Sequence, residues 1–384
     1  MRSVLEALGR GSFAAGLVAL ALGPAFWGAS ALAAGETAAG PFDLRFETPL
    51  QGIHLAYRPD VPRYPVIGNA VIVETGDGVV LVDGGGAAAV ADQIIERIRA
   101  LGSGPLRYLI VSHWHSDHTT GLDRYLSAFP AARIISHPWT HERIESRLFT
   151  QASGAAARLA AFRDRLRDEL ATGVDADTGR PLAAPAREYA EQVLRDYPVL
   201  EPQYALASAA APHITTDGGM TLPMKGRLIE IHHLGRGNTP GDLVVYLPAE
   251  KVLIAGDIVT HPVPFGYPSF PSEVVGVTEA LLGFEFDYLV LGHGPVQRDR
   301  GYAEKVLALQ RHAVAEIRRL HDAGLDEAEI RARLDLSPFD EAITSGDPRV
   351  AYFFDRWYRQ PIVGRVLREL GSRPPTGAEP TGGS

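Results

Sequence analysis

Short apolar runs that end in glycine or polar residues alternate with an amphipathic stretch in the first third of the chain. The runs at 67–74 and 79–82 flank turn residues at 75–78, a pattern typical of a β-hairpin. Isoleucines at helical spacing within 88–100 predict a helix with one buried face, and the apolar run at 106–111 predicts another buried strand. Strand, helix and strand in this order indicate α/β layers.

The same pattern returns later, after a segment of a different kind. Residues 146–211 are rich in alanine and charge and predict a helical insertion with helices at 155–171 and 188–196. The second helix is expected to end before Pro198, because proline inside a helix removes a hydrogen bond and clashes with the preceding turn. The insertion is either a solvated helical face or a lid over a binding site. Further strands are predicted at 132–136, 221–223, 227–233, 243–247, 252–255 and 288–291, and helices across 302–370.

The two ends of the chain differ in composition from its middle. Two arginines precede the apolar run 13–27, and small residues follow at the spacing of a cleavage site, so we predict a secretory signal peptide over 1–33 and a linker over 34–40. Glycine and proline interrupt the run and it is short for a bilayer span, so no stable membrane anchor is expected. A signal peptide implies a periplasmic or secreted protein. The glycine- and proline-rich residues 374–384 predict a disordered tail.

The overall composition limits the chemistry. The chain has 384 residues, 46% of them hydrophobic and 22% charged, with a formal net charge of −9 and no cysteine. The absence of cysteine excludes disulfides and thiolate ligands, so a metal ion must be held by nitrogen and oxygen. A mildly acidic chain without a basic run gives no reason to expect nucleic acid. A small-molecule substrate is the expected partner, and the oligomeric state stays open.

The strongest chemical signal is the run Ser112-His113-Trp114-His115-Ser116-Asp117-His118-Thr119, directly after an apolar strand. His113 and His115 are two residues apart, so on an extended chain both imidazoles lie on the same side and can meet one metal ion. Asp117 and His118 follow after the chain turns and can reach a second position beside the first. The alternative, a solvated loop that is rich in histidine by chance, leaves these costly polar groups without a role.

Other predicted strands end in polar residues of the same kinds. Asp83, Asp257 and His293 each follow an apolar run, and a glycine-rich loop at 234–242 precedes another. Together with the strand before His113, four predicted strand ends therefore offer aspartate, histidine or both.

Taken in order, these motifs resemble the metallo-β-lactamase fold superfamily. The motifs are Asp83-Gly84-Gly85, the His113-x-His115-x-Asp117-His118 run, Gly237-Asn238-Thr239-Pro240-Gly241-Asp242, Gly256-Asp257 and Gly292-His293-Gly294. The resemblance implies an α/β fold, an αββα four-layer sandwich of two mixed β-sheets with flanking helices, over residues 41–300. The helical insertion 146–211 and a C-terminal helical extension 301–373 are additions to it.

The resemblance also implies a set of metal ligands. His113 and His115 would bind a first ion, Asp117, His118 and His293 a second, and Asp257 would bridge the two. Asp83 would support the ligand loop through hydrogen bonds.

One position departs from the family pattern. Asn238 stands where the family supplies a third histidine to the first ion. An amide oxygen is a weaker donor than imidazole, so Asn238 is at most a weak ligand and the first ion is expected to bind less tightly. His232, His233 or His261 could replace the missing histidine.

The chemistry that the resemblance implies is hydrolysis of an ester, lactone or amide, β-lactams included, by metal-bound hydroxide. Asp117 would be the catalytic residue that orients the hydroxide. The cofactor would be one or two zinc ions. Two alternatives remain. The protein could be a redox enzyme that binds iron through the same ligands, or a non-catalytic binding protein with a degenerate site.

The stretch 261–270 follows Asp257 directly. Its residues His261, Phe265 and Tyr267 are candidates for the substrate pocket, or belong to a proline-stiffened loop packed on the core. Arg236 could meet an anionic group of the substrate. No arginine cluster lies near the ligand motifs in the sequence, so a neutral or cyclic substrate is favoured over a polyphosphate.

Overall fold

Two mixed β-sheets form the centre of the molecule. The structure, a computed structural model, describes residues 40–371 except 60, 61, 207 and 269, and the side chains of 147–153 are also outside the description. The predicted signal peptide, most of the linker and the tail lie outside the described residues. One sheet has seven strands in the order β1 to β7, and the other has five in the order β12, β11, β10, β9, β8. The strands are β1 (Arg45–Leu50), β2 (Ile53–Tyr57), β3 (Ala70–Thr75), β4 (Gly78–Val82), β5 (Leu106–Ile110), β6 (Arg133–Ser136), β7 (Ile214–Thr215), β8 (Met220–Met224), β9 (Arg227–His232), β10 (Val244–Leu247), β11 (Val252–Ile254) and β12 (Tyr288–Val290).

Helices cover the outer faces of both sheets. The described helices are α1 (Ala88–Leu101), α2 (Ser116–Thr119), α3 (Leu122–Ala128), α4 (Pro138–Thr172), α5 (Ala184–Ala205), α6 (Pro271–Leu282), α7 (Gly301–Asp322), α8 (Glu327–Arg333), α9 (Asp340–Thr344), α10 (Pro348–Phe354) and α11 (Gln360–Leu370). A π-helical turn, Asp355–Arg359, joins α10 to α11. No helix in the described part of the chain is both long and apolar enough to cross a bilayer.

Three hydrophobic cores define four layers. Side chains alternate along β4, so that Val80 and Val82 face the five-stranded sheet while Val79 and Leu81 face the helices. The first core packs the seven-stranded sheet against α1, α3, α4 and α5. The second lies between the sheets, and the third packs the five-stranded sheet against α6, α7 and the C-terminal helices. The predicted αββα sandwich of two mixed sheets is therefore confirmed.

The hairpin of β1 and β2 was not predicted from the sequence. Pro49 interrupts the apolar pattern of β1, and proline cannot donate to a sheet. In the structure β1 is an edge strand, and its register with β2 shifts between Glu47 and Leu50. An edge strand with an irregular register tolerates a proline because that backbone position needs no partner.

Both helices of the insertion are longer than the sequence predicted. Helix α4 begins at Pro138 and α5 runs from Ala184 to Ala205, with Pro198 and Pro202 inside it. The prediction that the second helix ends before Pro198 is wrong. Val193 and Leu200 of α5 are fully buried against the core, and this packing outweighs the hydrogen bonds that the prolines remove.

Candidate metal centre

The polar residues singled out in the sequence meet at one edge of the two sheets. His113 and His115 follow β5, and Asp117 and His118 lie on the short helix α2. Asp257 follows β11 and His293 follows β12, whose strands run parallel to each other. Parallel strands end at the same edge of a sheet, so their polar ends converge.

The side chains form two groups of possible metal ligands that share one residue. The first group consists of His113, His115 and Asp257, and the second of Asp117, His118, Asp257 and His293. Oδ2 of Asp257 lies 3.4 Å from Nε2 of His113, whereas its Oδ1 lies 3.4 Å from Nε2 of His118 and 3.3 Å from Nε2 of His293. Asp257 therefore presents one oxygen to each group, as a bridging carboxylate would.

The spacing of the donor atoms fits a small divalent cation. Oδ2 of Asp117 lies 3.4 Å from Nε2 of His118 and 3.2 Å from Nε2 of His293. Tetrahedral ligand atoms at about 2.0–2.2 Å from a zinc ion lie roughly 3.3–3.6 Å from each other. Nε2 of His118 and Oδ1 of Asp257 are buried and lack a hydrogen-bond partner among the described residues, a state that a bound ion would relieve. The residues present therefore fit a bound metal.

Electrostatics in the second group favour positive charge. Burial alone would lower the pKa of His293, but the carboxylates of Asp257 and Asp117 raise it to about 9. In the first group burial and the charge of His113 lower the pKa of His115 to about 3. The carboxylates that stabilise a protonated His293 would equally stabilise a metal cation.

The histidines are held in place by their other ring nitrogens. Oδ2 of Asp83 lies 2.9 Å from Nδ1 of His118 and accepts the Ser112 hydroxyl at 2.7 Å, while Oδ1 accepts the Ser112 backbone N–H at 2.7 Å. Nδ1 of His293 donates to the carbonyl of Ile67 at 3.0 Å. These contacts leave Nε2 of His118 and His293 directed at the centre, where the lone pair of the neutral ring could bind a metal ion. The sequence indicated Asp83 for this role, but not Ser112 or Ile67.

Gly292 is required by the position of Asp257. A Cβ atom at residue 292 would lie 1.8 Å from Oδ1 of Asp257. A larger residue there would displace the carboxylate that both ligand groups share.

Asn238 lies beside the first group. It is buried, its Nδ2 is 3.4 Å from Nδ1 of His115, and its Oδ1 has no hydrogen-bond partner among the described residues. A half-turn of the amide exchanges these two atoms and would direct the oxygen at the first group. The other candidates lie elsewhere: Nδ1 of His233 contacts the Asp242 carbonyl, Nε2 of His232 contacts Glu230, and His261 belongs to neither ligand group.

Zinc titration of the metal-free protein is expected to show two unequal binding steps, because the first group has one carboxylate and the second has two. The Asn238→His variant should strengthen the weaker step by at least about tenfold, since imidazole is a better zinc donor than an amide. Calorimetry measures both steps. Asn238→Ala is the matched control and should leave the tighter step unchanged. Two equally tight steps in the unaltered protein would contradict the prediction.

A cavity of about 750 Å³ opens above the metal centre. His115, Asp117, Asp257 and His293 form part of its wall, and the insertion and the C-terminal extension supply the opposite side. Three of the predicted pocket residues line it, namely His261, Phe265 and Tyr267. The ring of Phe265 lies 5.9 Å from that of His115 and 5.1 Å from that of Tyr267. Aromatic side chains therefore line the cavity beside the first group of ligands.

Arg236 does not line this cavity. Its Nε donates to Glu273 at 2.8 Å, and its guanidinium lies 3.5 Å above the ring of Phe270. Glu273 and Phe270 hold its side chain away from the cavity wall, and contact between Arg236 and a substrate stays a prediction.

Folding brings arginines to the cavity that are scattered in the sequence. The lining arginines are Arg63, Arg158, Arg165, Arg356 and Arg365. Arg356 reaches from the C-terminal extension to Asp175 of the insertion, with Nη1 and Oδ2 3.1 Å apart, and also pairs with Asp177. Arg165 of α4 pairs with the same Asp177 at 2.6 Å. The insertion is thus tied across the cavity to the extension, and folding gives the cavity arginines that the sequence did not indicate.

Comparison with known proteins agrees with this fold. The family model described as the metallo-β-lactamase superfamily matches residues 63–293, more than half of the chain. A linear primary-alkylsulfatase of Pseudomonas sp. (strain ATCC 19151) is 23% identical over 283 residues, which cover 70% of this chain and 50% of that protein. The structure of the stereoselective inverting sec-alkylsulfatase Pisa1 from Pseudomonas sp. shares the fold, with a TM-score of 0.59, 17% identity and coverage of 88% of this chain and 52% of that one.

The chain spans about half the length of these relatives. The family model, in contrast, extends from Arg63 to His293 and includes every residue of both candidate ligand groups. This chain belongs to the metallo-β-lactamase superfamily.

Proposed function

We propose that the protein is a metal-dependent hydrolase that cleaves an ester, lactone or amide bond in a small organic molecule. The observation that carries the proposal is the pair of ligand groups sharing Asp257 at the base of a cavity large enough for such a molecule. Cations bound there would supply Lewis acidity to activate water and to polarise the bond to be cleaved.

The chain's own residues have distinct tasks in this proposal. Asp117 lines the cavity, so its carboxylate can accept a hydrogen bond from a water molecule and orient it. Asp83 and the Ile67 carbonyl fix the rings of His118 and His293. Phe265 and Tyr267 provide an apolar surface for the body of the substrate.

Among the candidate bonds, the relatives favour esters. Their names describe alkylsulfatases, so a sulfate ester belongs among the substrates to be tested. Zinc is the proposed metal because all donors are imidazole nitrogen or carboxylate oxygen at tetrahedral spacing. A periplasmic or secreted location is proposed because residues 1–33 contain two arginines followed by the apolar run 13–27, as a signal peptide does.

A hydrolysis panel combined with elemental analysis tests the proposal. The purified protein is assayed with p-nitrophenyl acetate, a γ-lactone, nitrocefin, p-nitrophenyl sulfate and hexyl sulfate, and zinc and iron are measured per chain. At least one substrate should be hydrolysed, and both turnover and metal content should fall in His118→Ala. His321→Ala, at an exposed position near the end of α7, is the matched control and should keep both. Turnover that survives the loss of the metal would refute the proposal.

A further inference from the structure

Two tyrosines from distant parts of the chain meet in the cavity wall. Tyr64 precedes β3 and Tyr204 lies near the end of α5, and both line the cavity that contains Asp117 and His293. Their hydroxyl oxygens are 2.5 Å apart, and their rings are nearly parallel with centroids separated by 6.1 Å. The ring of Phe162 packs on Tyr64 at 5.2 Å. The phenols are therefore held in a fixed geometry.

The pair has one proton that the hydrogen bond between the tyrosines does not use. Two phenols carry two hydroxyl protons, and the bond between Tyr204 and Tyr64 takes only one of them. Burial raises the pKa of both phenols well above the ordinary value, so both stay protonated at neutral pH. The described residues offer no acceptor for the second proton, which leaves the pair as a hydrogen-bond donor at the cavity wall.

A positively charged side chain lines the same cavity as this donor. Arg158 of α4 lines the same cavity, and its charge acts on both Tyr64 and Tyr204, opposing the effect of burial on their pKa values. Gly154 leaves room for the guanidinium, because a Cβ atom there would lie 2.5 Å from Nη1 of Arg158. The cavity wall therefore combines a neutral O–H donor with a cationic side chain.

The metal centre and this group open into the same cavity. Asp117 lies in its wall together with the aromatic rings of Phe162 and Phe265, and the charge of Asp117 contributes to the raised pKa of Tyr204. An acceptor group bound by the tyrosines would thus lie near the reacting end of a bound molecule, and its apolar body would extend along Phe162 or Phe265.

We propose that Tyr64, Tyr204 and Arg158 form a subsite for an anionic oxygen group, a carboxylate or a sulfate-type group, on a substrate with an apolar body. An anion can accept the O–H hydrogen bond and is also attracted by the guanidinium charge, whereas a neutral group gains only the first contact and a cation is repelled. The subsite rests on the proposed function, since its ligand is the molecule that the hydrolase would cleave. It replaces the neutral substrate expected from the sequence with an anionic one.

Binding of small non-hydrolysable probes tests the subsite without relying on turnover. Isothermal titration of the full-length protein uses hexanesulfonate, hexanoate and the neutral hexanamide. Both anions, or one of them, should bind at least about tenfold more tightly than hexanamide, the gain expected from one charge-assisted contact. A preference for the sulfonate would indicate a tetrahedral group, and a preference for hexanoate a planar one.

Variants then assign the effect to the three residues. Arg158→Gln should weaken anion binding by about tenfold and leave hexanamide unchanged, and Tyr64→Phe and Tyr204→Phe should each weaken it by about three- to tenfold. Arg158→Lys, which keeps the charge, should retain part of the affinity. Arg167→Gln, an exposed position on the same helix outside the cavity, is the matched control and should bind as the unaltered protein does.

Outcomes for the subsite and for the proposed function are separable. The same titrations on His118→Ala should still show binding that depends on Arg158, because the subsite does not include that histidine. Arg158-dependent binding without any hydrolysis would contradict the proposed function but not the subsite. Hydrolysis combined with anion binding that is insensitive to Arg158 and both tyrosines, or equal binding of all three probes, would overturn the subsite.

Discussion

Replacing Asp257 with alanine is expected to remove both metal-binding groups at once and to lower hydrolysis by at least about 1000-fold, the scale for losing the main electrostatic element of an active site. Asp257 is the one residue common to the two groups, and each of its oxygens lies within 3.4 Å of a ligand nitrogen. Its loss leaves the first group without a carboxylate and the second with Asp117 alone. Metal content per chain, measured by elemental analysis, should fall together with turnover.

The control for this prediction is Asp322→Ala, at an exposed position at the end of α7. It removes a carboxylate of the same size far from the cavity and should change neither metal content nor turnover. A folded Asp257→Ala variant that keeps a full complement of metal would show that the two groups do not depend on a shared ligand.

The second large effect is expected at Asp83, which belongs to neither ligand group. Its carboxylate is buried and accepts both the N–H and the hydroxyl of Ser112, and it contacts Nδ1 of His118. Asp83→Ala leaves these buried groups unpaired, which should lower the free energy of unfolding by about 2–4 kcal/mol. Metal affinity should fall by about 10- to 100-fold, because the ring of His118 is no longer oriented.

Denaturant unfolding of the metal-free protein and calorimetric titration with zinc measure these two effects separately. Ser112→Ala removes only the hydroxyl contact and should produce a smaller loss of both quantities. Equal metal affinity in Asp83→Ala and the unaltered protein would mean that His118 is held by its packing alone. Gly68 is the relevant packing contact, since a Cβ there would lie 2.6 Å from the His118 ring.

Much of the fold could be predicted because its signals are local. The apolar runs of β3 to β5 and the helical spacing of α1 are readable within a few residues each, and the structure places those elements there. Prediction failed where long-range packing overrides local preference. Pro198 lies inside α5 because buried neighbours hold the helix, and Pro49 lies in β1 because an edge strand tolerates it.

The candidate ligands were readable for a related reason. His113, His115, Asp117 and His118 are adjacent in the sequence, and Asp257 and His293 each follow an apolar strand. Strands of one sheet bring their ends to a common edge, so a linear pattern of polar strand ends already predicts a cluster. The sequence thus determined the sandwich fold and indicated the residues that the structure brings together in the two candidate ligand groups.

Only the tertiary structure decided what surrounds that centre. Tyr64 and Tyr204 are 140 residues apart, Arg63 and its partner Asp196 are 133 apart, and Arg356 reaches Asp177 across 179 residues. No local periodicity encodes such contacts, because each depends on how the insertion and the C-terminal helices pack over the sheets. The arginines and paired phenols of the cavity, and with them the preference for an anion, arise from that packing, whereas the metal ligands arise from the strands themselves.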